Sequence, residues 1–290
     1  MSRESTTYPY LDLSQFCDQA SESYPGNRIY CLADHAGMPG LHRELVRANV
    51  AWKSLFEDSK EAAALQVAPL LFPLNTGGGH ADGKLLRWVA EHGTYTSSFL
   101  LFSSPLTIDE LCPALSLRTQ ARVSEDMDVL LRYFDPRVFE ALMAVLTPSE
   151  RECFLGLADC WWYPNRSGKL VRQTAKFESA DTFEAPLLLS ASQEFALLDM
   201  SEIDQVASQL SGLVPDQYFQ LGGGRFEFLQ RHMSEARAAG IESTQEQTIY
   251  CGLALLHGDD FAATARWRTL LADVRERKIN FTEAVAAVEE

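Results

Sequence analysis

The stretch "RYFDPRVF", residues 132–139, sets two arginines and an aspartate among aromatic and aliphatic side chains. Asp135 followed by Pro136 is a helix start. The carboxylate accepts backbone N–H groups of the first turn, and proline at the first helical position has no N–H to lose. The spacing predicts a helix from Pro136 with Val138, Leu142, Val145 and Leu146 on one face. It stops at Thr147, where "TPSE" (147–150) caps another helix. Upstream, Arg132 sits in an apolar, strand-like run and needs an acidic partner if buried; Asp34 is the expected one. Arg137, in the first helical turn, opposes the helix dipole and is expected to reach for an acid or a partner.

Working outward, "RIYCLAD" (28–34), "APLLFPL" (68–74) and "SFLLFSS" (98–104) read as strands buried on both faces. Helical patterns lie between and after them, around 38–48, 82–92 and 107–115, the last opened by the capping box "TIDE" (107–110). Alternation of buried strands with helices predicts an α/β sheet with parallel pairs. "RTQARVSEDMDVLLRYF" (118–134) predicts two strands around a "SEDM" turn, which makes the sheet mixed. Turn residues in "WWYPNRSGK" (161–169) predict a lobe boundary there. Beyond 192 the pattern is helical, with Phe226, Leu229, Met233 and Ala236 on one face and Ile249, Gly252, Leu253 and Leu256 on another. The fold class expected is an α/β N-terminal lobe with a mixed sheet, followed by an all-α C-terminal lobe.

The composition bounds what such a chain does. Among 290 residues, 46% are hydrophobic and 22% charged, as in a globular protein. Forty acidic against 25 basic residues give a net charge of −15 with no dense basic stripe, which speaks against nucleic acid and anionic membrane surfaces as partners. No apolar run approaches the roughly 20 residues that span a bilayer, and "MSRESTTYPYLDLSQF" lacks a signal-peptide core, so the expected location is the cytoplasm. Six scattered cysteines form no C-x-x-C pair and read as free thiols of a reducing compartment.

Two constellations resemble enzyme sites. "GGHADGK" (78–84) fits G-x-x-x-x-G-K, but Leu85 stands where a Ser/Thr would hold magnesium, and a glycine-rich connection is the expectation. Asp34, His80 and Ser103 at strand ends allow a small-molecule hydrolase, yet no G-x-S-x-G elbow marks a nucleophile. No histidine shows metal-ligand spacing. No catalytic, cofactor-binding or metal residue is therefore assigned.

The "RYFDPRV" block resembles the arginine-aromatic-aspartate-proline-arginine signature of the domain of unknown function 4123 proteins, the effector chaperones of bacterial type VI secretion. "RIYCLADHAG", "WKSLFEDSKEAAALQVAPLLFPL", "WVAEHGTYTSSFLLFSSPLTIDELCPAL" and "LTPSERECFLGLADCWWYP" follow in that family's order, and "ARAAGIESTQEQTIYCGLALLHGDDF" is similar to its helical tail. The likeness runs over about 28–166. It departs in the order of the aromatics, in Ala68 before proline, and in "CPALSLRTQ", which keeps Arg118 without the histidine-leucine before it. The resemblance implies an N-terminal arm (1–27), an α/β chaperone domain (28–166), a connecting segment (167–191) and a helical lobe (192–290). It implies Asp34, Arg132, Asp135, Pro136 and Arg137 as structural motif residues. It also implies a non-enzymatic adaptor whose partners are a cognate secreted effector and the VgrG spike. Trp161, Trp162 and Tyr163 are the partner-binding candidates, because aromatic anchors dominate such interfaces.

Overall fold

The computed structural model describes residues 11–57, 59–76, 79–80, 83–96, 98–166 and 169–289. The chain divides into two units, 1–197 and 198–290, each described by itself. The strands of the first unit are β1 (Arg28–Asp34), β2 (Lys53–Ser54), β3 (Pro69–Pro73), β4 (Asn75–Thr76), β5 (Gly79–His80), β6 (Phe99–Ser104), β7 (Gln120–Val123), β8 (Met127–Leu130), β9 (Cys160–Pro164), β10 (Leu170–Thr174) and β11 (Leu187–Leu188). Its helices are α1 (Leu13–Ser23), α2 (Leu41–Arg47), α3 (Gly83–Thr96), α4 (Ile108–Leu117), α5 (Pro136–Val145) and α6 (Pro148–Leu155).

The mixed sheet is the small one, in the order β11-β7-β8, where β11 runs parallel to β7 and β7 antiparallel to β8. The large sheet, β10-β9-β6-β1-β3-β2, is antiparallel throughout, in place of the parallel pairs expected. Continuous burial misled that expectation, because it reports coverage of both faces and carries no information on strand direction. On one face, Phe16 of α1 and Tyr24 just past its end meet Trp162 edge-on at 5.1 and 5.8 Å. On the other, cross-strand neighbours Tyr30, Phe102 and Trp161 stack at 5.5 and 4.5 Å, and Phe139 of α5 packs on Trp161 at 5.7 Å.

Residues 161–169 do not end this unit. β9 and β10 pair antiparallel there, and beyond the pairing the Asn165 amide donates to the Lys169 carbonyl and the Lys169 amide to the Asn165 side-chain oxygen, both at 2.9 Å. The turn residues there mark a reversal inside the sheet, and the division falls instead within α7 (Ala191–Leu213), where helical periodicity continues without punctuation.

The second unit continues with α8 (Pro215–Gln220), α9 (Arg225–Ala238), α10 (Thr244–His257), α11 (Ala265–Arg275) and α12 (Phe281–Glu289). Its core holds Leu229, Met233 and Ala236 beside Tyr250, Phe261, Trp267 and Phe281. On α10 the buried stripe is Gln247, Tyr250, Cys251 and Ala254, and Leu256 is exposed, so the face differs from the one expected. Burying Tyr250 among three aromatics outweighs burying the smaller Leu256.

Candidate functional site

Asp135 caps α5, accepting from the Arg137 amide at 2.9 Å, with Pro136 at the first helical position. The same carboxylate takes the Arg137 guanidinium in a two-pronged pair at 3.0 and 2.6 Å. The dipole problem of Arg137 is thus solved by the cap itself. Arg132 lies just past β8 in an irregular segment and donates to Asp34 at 2.8 Å, the partner expected. Its guanidinium also stands 5.5 Å from the centre of the Phe134 ring.

The two pairs share one design. Each carboxylate side chain is buried, Asp34 at 7% and Asp135 at 10% exposure, while both arginines remain 46% exposed. Burial pushes the Asp34 carboxyl above its ordinary range; Arg132 and the Ala36 amide oppose that shift, and the nearby Asp135 charge reinforces it. The exposed guanidinium does not fully compensate the desolvated acid, since solvent screens it. What the arrangement offers is a pair of cations held at the surface by buried anions. Arg166 is arranged the other way round: its side chain is buried, and it donates to the half-buried Glu140 of α5 at 2.6 Å and to the Arg137 carbonyl at 3.3 Å.

The hydrolase constellation is not assembled. Ser103 pairs in register with Ile29, five residues before Asp34, which at about 3.3 Å per residue separates them by about 16 Å. Ser103 accepts from Asn27 at 3.0 Å, and Ser104 donates to the Leu157 carbonyl at 2.6 Å; both are structural. His80 pairs with Asn75 in the β4–β5 ladder, and its side chain lies outside the described residues, as do Gly78, Ala81 and Asp82 of the glycine-rich motif. His35 is committed to the Leu65 carbonyl at 2.7 Å and to His42 at 3.1 Å. Among the described residues no three His, Cys, Asp or Glu side chains gather as a metal site.

Trp161, Trp162 and Tyr163, the partner-binding candidates, are buried in the sheet. They are exposed by only 0%, 8% and 6%, and Trp161 donates its indole N–H to the Leu155 carbonyl at 3.2 Å. β9 is an inner strand between β6 and β10, so consecutive aromatics fill both faces of the sheet. A partner cannot reach them without opening the core.

Arg118 is the residue the sequence left unassigned. It is fully buried, and its five N–H groups go to the carbonyls of Phe154 (2.7 Å), Ala114 (2.9 Å) and Cys153 (3.0 Å) and to both Asp181 oxygens (2.9 and 2.7 Å). One guanidinium therefore joins α4, α6 and the strand-poor segment around 181. Only its position next to a helix end hinted at this, since the acid lies 63 residues on.

An α/β unit with ion-paired arginines at its surface, followed by a helical unit, is the class of protein defined here. Residues 29–153, within the first unit, match a family model described as "Domain of unknown function (DUF4123)". No curated protein and no solved structure matches the chain. No helix among the described residues is long and apolar enough to cross a membrane.

Proposed function

We propose that this protein is a cytoplasmic adaptor of bacterial type VI secretion, which binds a cognate toxic effector and helps load it onto the VgrG spike. The observation that carries this is the DUF4123 match over 29–153, with the "RYFDPRV" block folded as two surface arginines seated on buried aspartates. The match carries no functional description of its own, and the secretion role comes from the resemblance of the sequence blocks. A fixed guanidinium suits recognition of a partner's carboxylate, because less side-chain freedom is lost on binding.

The mechanism is mass action. A protein that binds only the folded effector stabilises it by RT ln(1 + [L]/Kd), about 2.7 kcal/mol at a hundredfold excess over Kd. The adaptor acts without turnover of its own. Deleting its gene is expected to lower the amount of the neighbouring effector and to stop its delivery, with other effectors still secreted. Unchanged delivery in the deletion strain would count against the role. The alternative of a hydrolase at Asp34, His80 and Ser103 is not favoured, given the register that separates Asp34 from Ser103.

A further inference from the structure

We infer that the outer edge of β10, with the cleft beside it, binds an extended acidic segment of a protein partner; this rests on the adaptor reading above. β10 is the outermost strand of the large sheet, and among the described residues no strand lies beyond it. Its register with β9 fixes which backbone groups face out. Asn165 and Lys169 pair at one end and the Ala175 amide bonds the Asp159 carbonyl at the other, so residues 171 and 173 bond inward. The N–H groups of Arg172 and Thr174 therefore point away from β9, and the Thr174 carbonyl accepts from the Gln173 side chain at 3.2 Å. An exposed edge of this kind is a template for one more strand.

Charge selects the occupant. Between Asp159 and Glu178 the chain carries Arg166, Lys169, Arg172 and Lys176 and no acid, in a protein of net charge −15. Lys169, Arg172 and Lys176 are exposed. The other long free edge, β8, carries Asp128 and follows Glu125 and Asp126, so it repels the segment that β10 attracts.

The cleft supplies an independent reason. It measures about 600 Å³ and is walled by Pro148, Arg151, Glu152 and Leu155, one face of α6, and by residues 173–176. Gln173 and Thr174 are the last two residues of β10, so the cleft adjoins the end of that strand. The Nε of Arg151 is buried there without a hydrogen-bond partner, while the same guanidinium donates to the Leu146 carbonyl at 3.1 Å. The acids on the walls include Asp181, closed on Arg118, Glu178, closed on Lys176, and Glu152. A carboxylate from the added strand meets the Arg151 side chain on the cleft wall in a charge-assisted contact.

The probe is a capped hexapeptide of alternating valine and threonine with one central glutamate, compared with its glutamine counterpart, titrated into the ¹⁵N-labelled full chain. The glutamate peptide is expected to shift and protect the Arg172 and Thr174 amides and to bind at least about tenfold tighter than the glutamine peptide, one charge-assisted contact. Thr174→Pro should abolish binding of both, since proline there removes an outward N–H and leaves the pairing with β9. Arg151→Met should make the two peptides equal. Equal binding to the wild type, shifts elsewhere, or undiminished binding by a folded Thr174→Pro variant would overturn the assignment. A cognate effector that still co-purifies with Thr174→Pro leaves the adaptor role standing and removes this edge as its site.

Discussion

Replacing Arg118 by methionine tests the part of the fold that the sequence did not announce. The side chain has no exposed surface, all five of its N–H groups are bonded, and its cation rests on Asp181, itself 28% exposed. Methionine fills most of the volume but leaves the Phe154 and Cys153 carbonyls without their donor. Asp181 can turn toward water, which limits its share. Breaking a buried pair costs about 3–5 kcal/mol, and the partial exposure of Asp181 places the expected loss for Arg118→Met near the lower end, about 3 kcal/mol. Urea unfolding followed by tryptophan fluorescence reads it, since Trp52, Trp88, Trp161 and Trp162 all lie in the first unit. The pair also sets a pH dependence. The Asp181 carboxyl is held below its ordinary value of 3.8: burial raises it, but the hydrogen bonds and charge of Arg118 prevail. Its contribution is thus present above pH 4 and lost as pH falls through the lower folded value. Arg118→Met should lose that acid limb, and the double variant Arg118→Met/Asp181→Leu should recover part of the stability. A loss under about 1 kcal/mol, with the acid limb intact, would refute this assignment of Arg118.

Three further outcomes follow from the same geometry. Asp135→Ala removes the α5 cap and the seat of Arg137 and should cost about 1–2 kcal/mol in the same unfolding assay. Asp34→Asn should change stability at pH 7 by less than about 1 kcal/mol, since Arg132 is half exposed and burial already penalises the ionised acid. Because the folded Asp34 value is raised, its cost is present above that value and fades as pH falls toward 3.8; the asparagine variant should lack this change, and a loss of 3 kcal/mol would contradict it. Gly93→Ala sets a methyl 2.4 Å from the Phe99 ring, which has no room to retreat, and should lower the first unit's thermal midpoint by an equivalent of about 2 kcal/mol.

The helix starts were legible because a cap is local chemistry. Thr107 and Thr147 both form full capping boxes with Glu110 and Glu150, and Asp135 caps with Pro136 behind it. The strands β1, β3 and β6 were legible from their apolar runs, and β7 and β8 from the turn between them. Strand direction was not, since a strand covered on both faces reads the same whichever way its neighbours run. The aromatic run at 161–163 was read by its neighbours Pro164 and Gly168, when its own residue types favour an inner strand. Of the site, the Asp34–Arg132 pair followed from the need to compensate charge. The Arg118–Asp181 pair and the β10 margin depend on tertiary approach, which no local pattern encodes.

The most direct test of the central claim is size-exclusion chromatography with light scattering on the purified protein mixed with the effector encoded beside its gene. An adaptor predicts one stoichiometric complex that persists at micromolar concentration and raises the effector's thermal midpoint. Separate elution of the two proteins at tens of micromolar, with no change in the effector's midpoint, would contradict it.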